Sequence, residues 1–202
     1  PNPNSMPRSA SLSSLLSLPS LKLISIAADG DCFYKAIATA LGDPHTVSSL
    51  RALVSSKLSD DQFSMFQLAY DAQVAGYEFM RRVRSLEALK SLFLVEGTDA
   101  GGGHCVWAEG FGVQTVVDEV GVILCVVDEE ARAREDRFVV MRPEGGEEVG
   151  KGGVIVLQRT RRSHYNLITD GGEAIVKDSV VLAKFGVDVD VDEQEPPAKR
   201  RK

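Results

Sequence analysis

The chain has 202 residues, of which 44% are hydrophobic and 26% are charged, a composition typical of one globular domain with an ordinary core. Its net charge of −6 argues against a general nucleic-acid-binding protein, which would normally be basic. No apolar run reaches the length of about 18 residues that a membrane-spanning helix needs. We therefore expect neither nucleic acid nor a membrane as a partner.

The cysteine pattern bears on both metal binding and cellular compartment. Cys32, Cys105 and Cys125 are widely spaced and form no CxxC pair. This predicts neither a disulfide framework nor a structural zinc site, and it favours a reducing, intracellular compartment. We also expect no cofactor and no metal, because the sequence has neither a glycine-rich phosphate loop nor a credible set of metal ligands.

Both ends of the chain are predicted to be flexible. Residues 1–20 are rich in serine, proline and asparagine, and residues 185–202 form a tail that is first acidic and then basic. Serine interrupts the apolar residues 9–23, so we interpret them as a linker leading into a short helix rather than as a signal peptide. The first residue is proline, which indicates a processed product or a piece of a larger protein. The terminal KRRK is weak evidence for nuclear import.

Helical patterns fill the first half of the chain between these ends. Helices are predicted over residues 32–41, from Thr46 to Leu58, from Ser59 to Tyr70, and once or twice within residues 77–94. Thr46 is a candidate N-cap. A short amphipathic segment then ends near Val120.

Strand patterns fill the second half. Strands are predicted at residues 122–127, 137–142, 153–159 and 164–169, with a last short strand near residues 179–183. The first of these runs is continuously β-branched, as in a strand covered on both faces. The acidic, glycine-rich linker that follows the second strand is typical of a hairpin loop. This segregation predicts an α+β domain over residues 21–184, with a central, mostly antiparallel sheet and helices packed on it.

The stretch AADGDC, residues 27–32, has the features of a nucleophile loop. If Cys32 is the first residue of a helix, the helix dipole favours its thiolate form. Gly30 allows a tight turn that can aim the backbone amides of Gly30, Asp31 and Cys32 at one point. The same residues also suit a small, buried, apolar cysteine, which is the commoner role of a cysteine after a turn.

Among the three histidines, His164 is the best candidate for a general base. It lies on a predicted strand with Asn166 two residues later, so both side chains point to the same face of the strand. An amide oxygen on that face could accept the imidazole N–H and set its tautomer. His45 is predicted to lie at the surface, and His104 has no obvious partner.

The cysteine block and the histidine block together resemble the ovarian tumour (OTU) family of cysteine proteases. The matching residues are Asp29, Gly30, Cys32, Phe33, Lys35 and Ala36 in the first block and His164, Tyr165 and Asn166 in the second. Between the blocks, Trp107, the segment that follows it and the buried strand fit the family's middle block in order and spacing. The resemblance covers most of residues 24–170.

This resemblance implies a papain-like α+β fold and a thiol protease that acts as a deubiquitinase. Such a hydrolase cleaves the peptide or isopeptide bond after the C-terminal glycine of ubiquitin or a ubiquitin-like modifier. Cys32 would be the nucleophile, and His164 would be the general base and then the acid. Asn166 would orient His164, and Asp29 would support the cysteine loop.

The oxyanion hole implied by the resemblance consists of the backbone amides of Gly30, Asp31 and Cys32. Asp31 stands where many family members have asparagine, which predicts a carboxylate close to the developing oxyanion. Tyr34 also replaces a more usual apolar residue. These differences indicate a divergent branch of the family.

Two other functions stay open from the sequence. A catalytically inactive OTU-like module would bind ubiquitin without cutting it, and a papain-like viral protease would cleave a polyprotein. Outside the two blocks, Cys105 and Cys125 are predicted to be structural, and Trp107 is predicted to be a packing anchor. Residues 159–162, RTRR, form either a solvated strand end or one flank of the cleft beside the histidine.

Overall fold

The computed structural model describes residues 18–97, 105–108, 110–128, 130–131, 137–144, 153–161 and 163–187. Most of the two predicted flexible ends, and His104, lie outside these residues. In the part of the chain that is described, no helix combines the length and the apolar character that crossing a bilayer requires.

Helices precede most of the strands along the chain, as the sequence pattern predicted. In chain order the elements are β1 (Leu21–Ile24), α1 (Cys32–Leu41), α2 (Val47–Lys57), α3 (Asp60–Asp71), a 3₁₀ helix (Glu78–Arg82), α4 (Leu86–Phe93), α5 (Gly110–Val120), β2 (Ile123–Asp128), β3 (Phe138–Met141), β4 (Val154–Thr160), β5 (His164–Asp170), β6 (Ile175–Val176) and α6 (Ser179–Lys184).

Side-chain caps explain where the middle helices begin. Thr46 and Ser49 form a reciprocal capping box at the start of α2, which confirms the prediction that Thr46 is an N-cap. The hydroxyl groups of Ser59 and Ser85 accept backbone N–H groups at the starts of α3 and α4. Each hydroxyl satisfies a donor that the first helical turn leaves without an intrahelical partner.

The strands form one mixed sheet in the order β1-β5-β4-β2-β3, and β6 pairs with β4. All neighbouring pairs among these strands are antiparallel except β2 and β4, which are parallel. The predicted α+β class, with a mostly antiparallel sheet and packed helices, is therefore confirmed.

The predicted hairpin between β3 and β4 is wrong, because β2 lies between these two strands. Strand β4 is buried over Val154–Gln158, whereas β3 is only partly buried. The more apolar β4 therefore pairs with the fully buried β2 in the centre of the sheet, and β3 takes the edge.

Three predictions near the chain ends also need correction. Residues 179–183 belong to helix α6, because Asp178 caps the N–H groups of Val180 and Val181. Leu21–Ile24, which the sequence placed in or beside a short helix, is a strand paired with β5. Phe185 and Val187 are buried, so the packed region extends beyond the predicted boundary at residue 184.

The sheet separates two apolar clusters. Along β2, Leu124 and Val126 face the cluster that contains α1 and the other early helices. Ile123, Cys125 and Val127 face a smaller cluster that α6 covers. Because strand side chains alternate between faces, a continuous apolar run fills both clusters at once.

Candidate active site

A tight loop places Cys32 at the first position of helix α1. Gly30 has a φ of 94°, and a Cβ atom at this position would collide with the Sγ atom of Cys105. A Cβ atom at Gly97 would collide in the same way with the carbonyl oxygen of Asp29. Gly30 is therefore required by the conformation of the cysteine loop. Gly97 is required in the segment that packs against the loop, because only glycine allows the two backbones to approach so closely.

The Cys32 thiol lies against the backbone on both sides of His164. Its Sγ atom is 3.6 Å from the carbonyl oxygen of Ser163 and accepts a hydrogen bond from the backbone N–H of Tyr165. The thiol is nearly buried, with 8% of the residue exposed. The thiol therefore lies against the start of β5, at the backbone that flanks a histidine 132 positions later in the sequence.

Burial raises the pKa of the Cys32 thiol above its ordinary value. The hydrogen bond from the Tyr165 N–H lowers this pKa, and the negative charge of Asp29 raises it further, but desolvation is the largest effect. Desolvation therefore opposes the thiolate that the helix dipole alone would favour. A base must remove the thiol proton before the sulfur can attack a carbonyl group.

The imidazole of His164 is held at one nitrogen, and its other nitrogen has no partner within the described part of the chain. Its Nε2 atom is 3.1 Å from Oδ1 of Asn166, and that oxygen also accepts the backbone N–H of Ile26 at 3.0 Å. The Nδ1 atom is buried and has no hydrogen-bond partner among the described residues. The structure thus brings His164 and Asn166 together on one strand face.

Asp29 organises the cysteine loop through two contacts. Its Oδ1 atom accepts the backbone N–H of Asp31 at 3.2 Å, and its Oδ2 atom forms an ion pair with Lys35 one turn into α1. Burial is the largest effect on the pKa of Asp29 and raises it, but the hydrogen bonds from Lys35 and from the loop backbone, together with the charge of Lys35, outweigh burial and leave the pKa below its ordinary value. The Asp31 amide, one of the three predicted oxyanion donors, is therefore already engaged by a carboxylate.

The Asp31 side chain points away from these amides into the protein, which corrects the prediction of a carboxylate close to the oxyanion. It is fully buried, and its Oδ1 atom is 2.7 Å from Nε and 2.5 Å from Nη2 of Arg51. Its other oxygen accepts the backbone N–H of Gly97 at 2.7 Å. The negative charge is therefore neutralised behind the loop rather than presented at the site.

Arg51 is a residue of this site that the sequence prediction missed. Its guanidinium group is fully buried and donates to the carbonyl oxygens of Phe93 at 3.1 Å and Val106 at 3.2 Å. The signal was present, since Arg51 shares one helical face of α2 with Val54 and Ser55, which are also buried. A charged residue on a buried helix face requires an opposite charge nearby.

Trp107 lies beside the cysteine loop and is 45% exposed, so the prediction of a packing anchor is wrong. It lines a groove of about 280 Å³ together with Ser163 and Tyr165, the two residues that contact the Cys32 thiol. It also lines a second, larger groove of about 890 Å³, which includes Cys105. The exposed indole therefore borders both grooves beside the cysteine loop.

Cys125 is fully buried in the sheet, and burial raises its pKa to about 12. His45 is half-buried in a turn. Arg159 pairs with Asp128 at 2.6 Å and also lines the groove of about 280 Å³ beside the thiol, so this arginine flanks that groove. Across the described ranges, no group of three or more His, Cys, Asp or Glu side chains could hold a metal ion.

Comparison with known proteins finds matches only among solved structures. No protein-family model matches the sequence, and no curated protein matches it. An OTU domain solved in complex with ubiquitin matches with a TM-score of 0.50 and 16% identity, over 82% of this chain and 83% of that chain. The OTU domain of OTUD1 matches with a TM-score of 0.48 and 16% identity, over 74% and 86% of the two chains.

An OTU deubiquitinase from Wolbachia pipientis wMel, solved bound to ubiquitin, matches with a TM-score of 0.46 and 9% identity, over 76% of this chain and 98% of that chain. At 16% sequence identity, the match to the OTU domain solved with ubiquitin is evidence for the fold only. The chain therefore has the fold of an OTU domain, as its two sequence motifs predicted, although its sequence is at most 16% identical to these three solved examples.

Proposed function

We propose that this chain is a thiol-dependent deubiquitinase that hydrolyses the peptide or isopeptide bond after the C-terminal glycine of ubiquitin or a ubiquitin-like protein. One observation carries the proposal. The buried Cys32 thiol contacts the backbone on both sides of a histidine whose Nε2 is held by Asn166 and whose Nδ1 is free of any partner among the described residues. This arrangement supports Cys32 as the nucleophile, His164 as the base and Asn166 as the group that orients the base.

The proposed reaction follows from these contacts. Nδ1 of His164 removes the thiol proton, and Sγ of Cys32 then attacks the carbonyl carbon of the glycine. The tetrahedral intermediate collapses when His164 returns the proton to the leaving amine, which breaks the C–N bond and leaves a thioester. Water, deprotonated by His164, then attacks the thioester carbonyl and releases the carboxylate and the thiol.

Charge on the tetrahedral oxygen would be stabilised by backbone amides of the cysteine loop. The amides of Gly30, Asp31 and Cys32 remain our candidates for this role. The Asp31 amide can take part only if the oxyanion shares or replaces its bond to Asp29. We expect no metal or cofactor in this chemistry, because each proton transfer has an assigned side chain.

Ubiquitin is proposed as the partner because the solved OTU domain with a TM-score of 0.50 was determined in complex with ubiquitin. A flexible, extended C-terminus would fit the groove that Trp107, Ser163 and Tyr165 line beside the thiol. We propose an intracellular enzyme, since the reaction needs a reduced thiol.

A ubiquitin probe with an electrophilic C-terminus tests the proposal. We expect covalent labelling of the wild-type protein at a single cysteine, no labelling of Cys32→Ala, and labelling of the matched control Cys105→Ala. Mass spectrometry of the adduct identifies the modified residue. Binding of unmodified ubiquitin without labelling would instead support an inactive binding module, and cleavage of linear peptides that lack a ubiquitin body would support a polyprotein protease.

A further inference from the structure

We propose that Gln158 is a positioning residue that sets the tautomer of His164, acting through the amide of Asn166. The inference rests on the proposed function, in which His164 is the general base. Nothing in the cysteine or histidine motif points to Gln158, because it lies on a different strand.

Gln158 lies directly opposite Asn166 in the pairing of β4 with β5. The two side chains share one face of the sheet and are both buried, with 6% and 8% of each residue exposed. Oε1 of Gln158 accepts a hydrogen bond from Nδ2 of Asn166 at 2.9 Å. Its neighbours in β4, Val154–Leu157, are all apolar, so this amide is an exception in the buried part of the strand.

The two ends of the Asn166 amide are held by groups of opposite character. The Ile26 N–H can only donate, and it binds Oδ1 at 3.0 Å. The Oε1 atom of Gln158 can only accept, and it binds Nδ2. A flip of the Asn166 amide would place its Nδ2 against the Ile26 N–H, a clash of two donors that no rotation relieves. It would also place Oδ1 against Oε1 of Gln158 unless the Gln158 amide turned as well, so both buried amides must turn together.

The orientation of Asn166 in turn decides which nitrogen of His164 carries the proton. An amide oxygen cannot donate, so the Nε2 atom at 3.1 Å must hold the proton and donate it. The neutral imidazole then has its lone pair on Nδ1, the nitrogen without a partner among the described residues. Gln158 therefore helps to keep free the one atom that can accept the thiol proton.

Two substitutions, one that removes the hydrogen-bond acceptor at position 158 and one that keeps it, test the role of Gln158. Cleavage of a fluorogenic ubiquitin C-terminal amide is measured for Gln158→Met, which removes the acceptor, and for Gln158→Glu, which keeps one. We expect Gln158→Met to lower kcat/KM by about three- to tenfold, the value of one neutral hydrogen bond, and Gln158→Glu to lower it less. Thermal melting of each variant shows whether it is folded at the assay temperature.

The order of the two variants should reverse in the Asn166→Asp background. There the orienting group has acceptor oxygens at both ends, so wild-type Gln158 can turn its amide and donate. Gln158→Glu would instead face one carboxylate with another and should lower kcat/KM by about tenfold or more, further than Gln158→Met does. The same order of losses in both backgrounds would overturn the proposal, because it would show that the hydrogen-bonding character of residue 158 does not act through residue 166.

A measurement that needs no activity separates this inference from the proposed function. Nitrogen-15 NMR of labelled histidine, assigned with His164→Ala, should show neutral His164 protonated at Nε2 in the wild-type protein. Part of the Gln158→Met population should move to the form protonated at Nδ1. A wild-type His164 protonated at Nδ1, or an unchanged tautomer in Gln158→Met, refutes the role of Gln158. Inactivity toward ubiquitin with the expected tautomers would contradict the proposed function alone.

Discussion

At the scale of single residues, Tyr34 carries a buried hydroxyl group that has no hydrogen-bond partner among the described residues. Burial raises its pKa to about 12. The ring itself is well placed, since it packs edge-on against Phe33 and lies 4.6 Å below the guanidinium carbon of Arg51. The ring therefore stabilises the core, while the hydroxyl group costs desolvation.

We predict that Tyr34→Phe raises the free energy of unfolding by about 1 kcal/mol, because it removes an unpaired polar atom and keeps the ring. Urea denaturation measures the change. Tyr70→Phe is the matched control, since Tyr70 is only half-buried and its substitution should change stability little. A loss of stability in Tyr34→Phe would show that the hydroxyl group has a partner in solution.

The raised pKa of Cys32 makes a prediction for its reactivity with pH. Because the thiolate is the nucleophile, alkylation by iodoacetamide should be slow at neutral pH and should still rise above the ordinary pKa of a thiol. Asn in place of Asp29 removes a negative charge that raises this pKa, so Asp29→Asn should react faster at neutral pH. Mass spectrometry follows modification of Cys32 over a pH series. A plateau already near about pH 7 would contradict the raised pKa.

At the scale of elements, helix α2 supports the cysteine loop from behind through Arg51. The buried guanidinium group joins Asp31 of the loop to the end of α4 at Phe93 and to the segment at Val106. Three pieces of chain that are distant in sequence are thus connected through one charged side chain. Helix α2 therefore determines where the cysteine loop lies.

Arg51→Met should lower the free energy of unfolding by about 3–5 kcal/mol, because it leaves the Asp31 carboxylate buried without its partner. Adding Asp31→Asn should recover part of this loss, since no uncompensated charge then remains. Urea denaturation of the single and double variants gives the coupling energy. Arg82→Met, at an exposed arginine of the 3₁₀ helix, is the control. Additive losses would mean that the two charges do not stabilise each other.

The locations of helices and strands followed from local patterns, because caps and side-chain periodicity act over a few residues. Thr46 is an example, since its capping partner lies three positions away. Residues 179–183 show the limit of this reasoning: their β-branched run suits a strand, but the cap from Asp178 makes a helix. A short apolar run does not distinguish the two conformations without its flanking residues.

At the scale of the whole molecule, the sheet must be covered on both faces to be stable. The early helices cover one face, and α6 with the residues after it covers the other. Phe185 is fully buried there and packs against Phe138 with ring centroids 6.3 Å apart. The last described residues are therefore part of the core rather than a tail.

Phe185→Ala should lower the free energy of unfolding by about 3–5 kcal/mol, since it leaves a cavity against the sheet. Leu68→Ala is the control, because Leu68 is 71% exposed and loses little buried surface. The change is read from urea denaturation as a shift of the midpoint. A change as small as that of the control would mean that α6 does not cover the sheet in solution.

Strand pairing belongs to this largest scale, and there the prediction of a hairpin between β3 and β4 was wrong. The linker has the composition of a turn, but composition does not say which strand lies next to which. The parallel pairing of β2 with β4 buries two β-branched runs together in the centre. That gain depends on the sum of contacts across the sheet, which no local pattern contains.

The sequence by itself determined the fold class and the candidate site residues. The spacing of its apolar residues specified an α+β domain, and two short motifs identified Cys32, His164 and Asn166 as candidates, because residue type and local spacing carry that information. Only the tertiary structure decided how these residues are held. Arg51 behind the cysteine loop and Gln158 beside Asn166 act through contacts between segments remote in sequence, and those contacts exist only after the chain has folded.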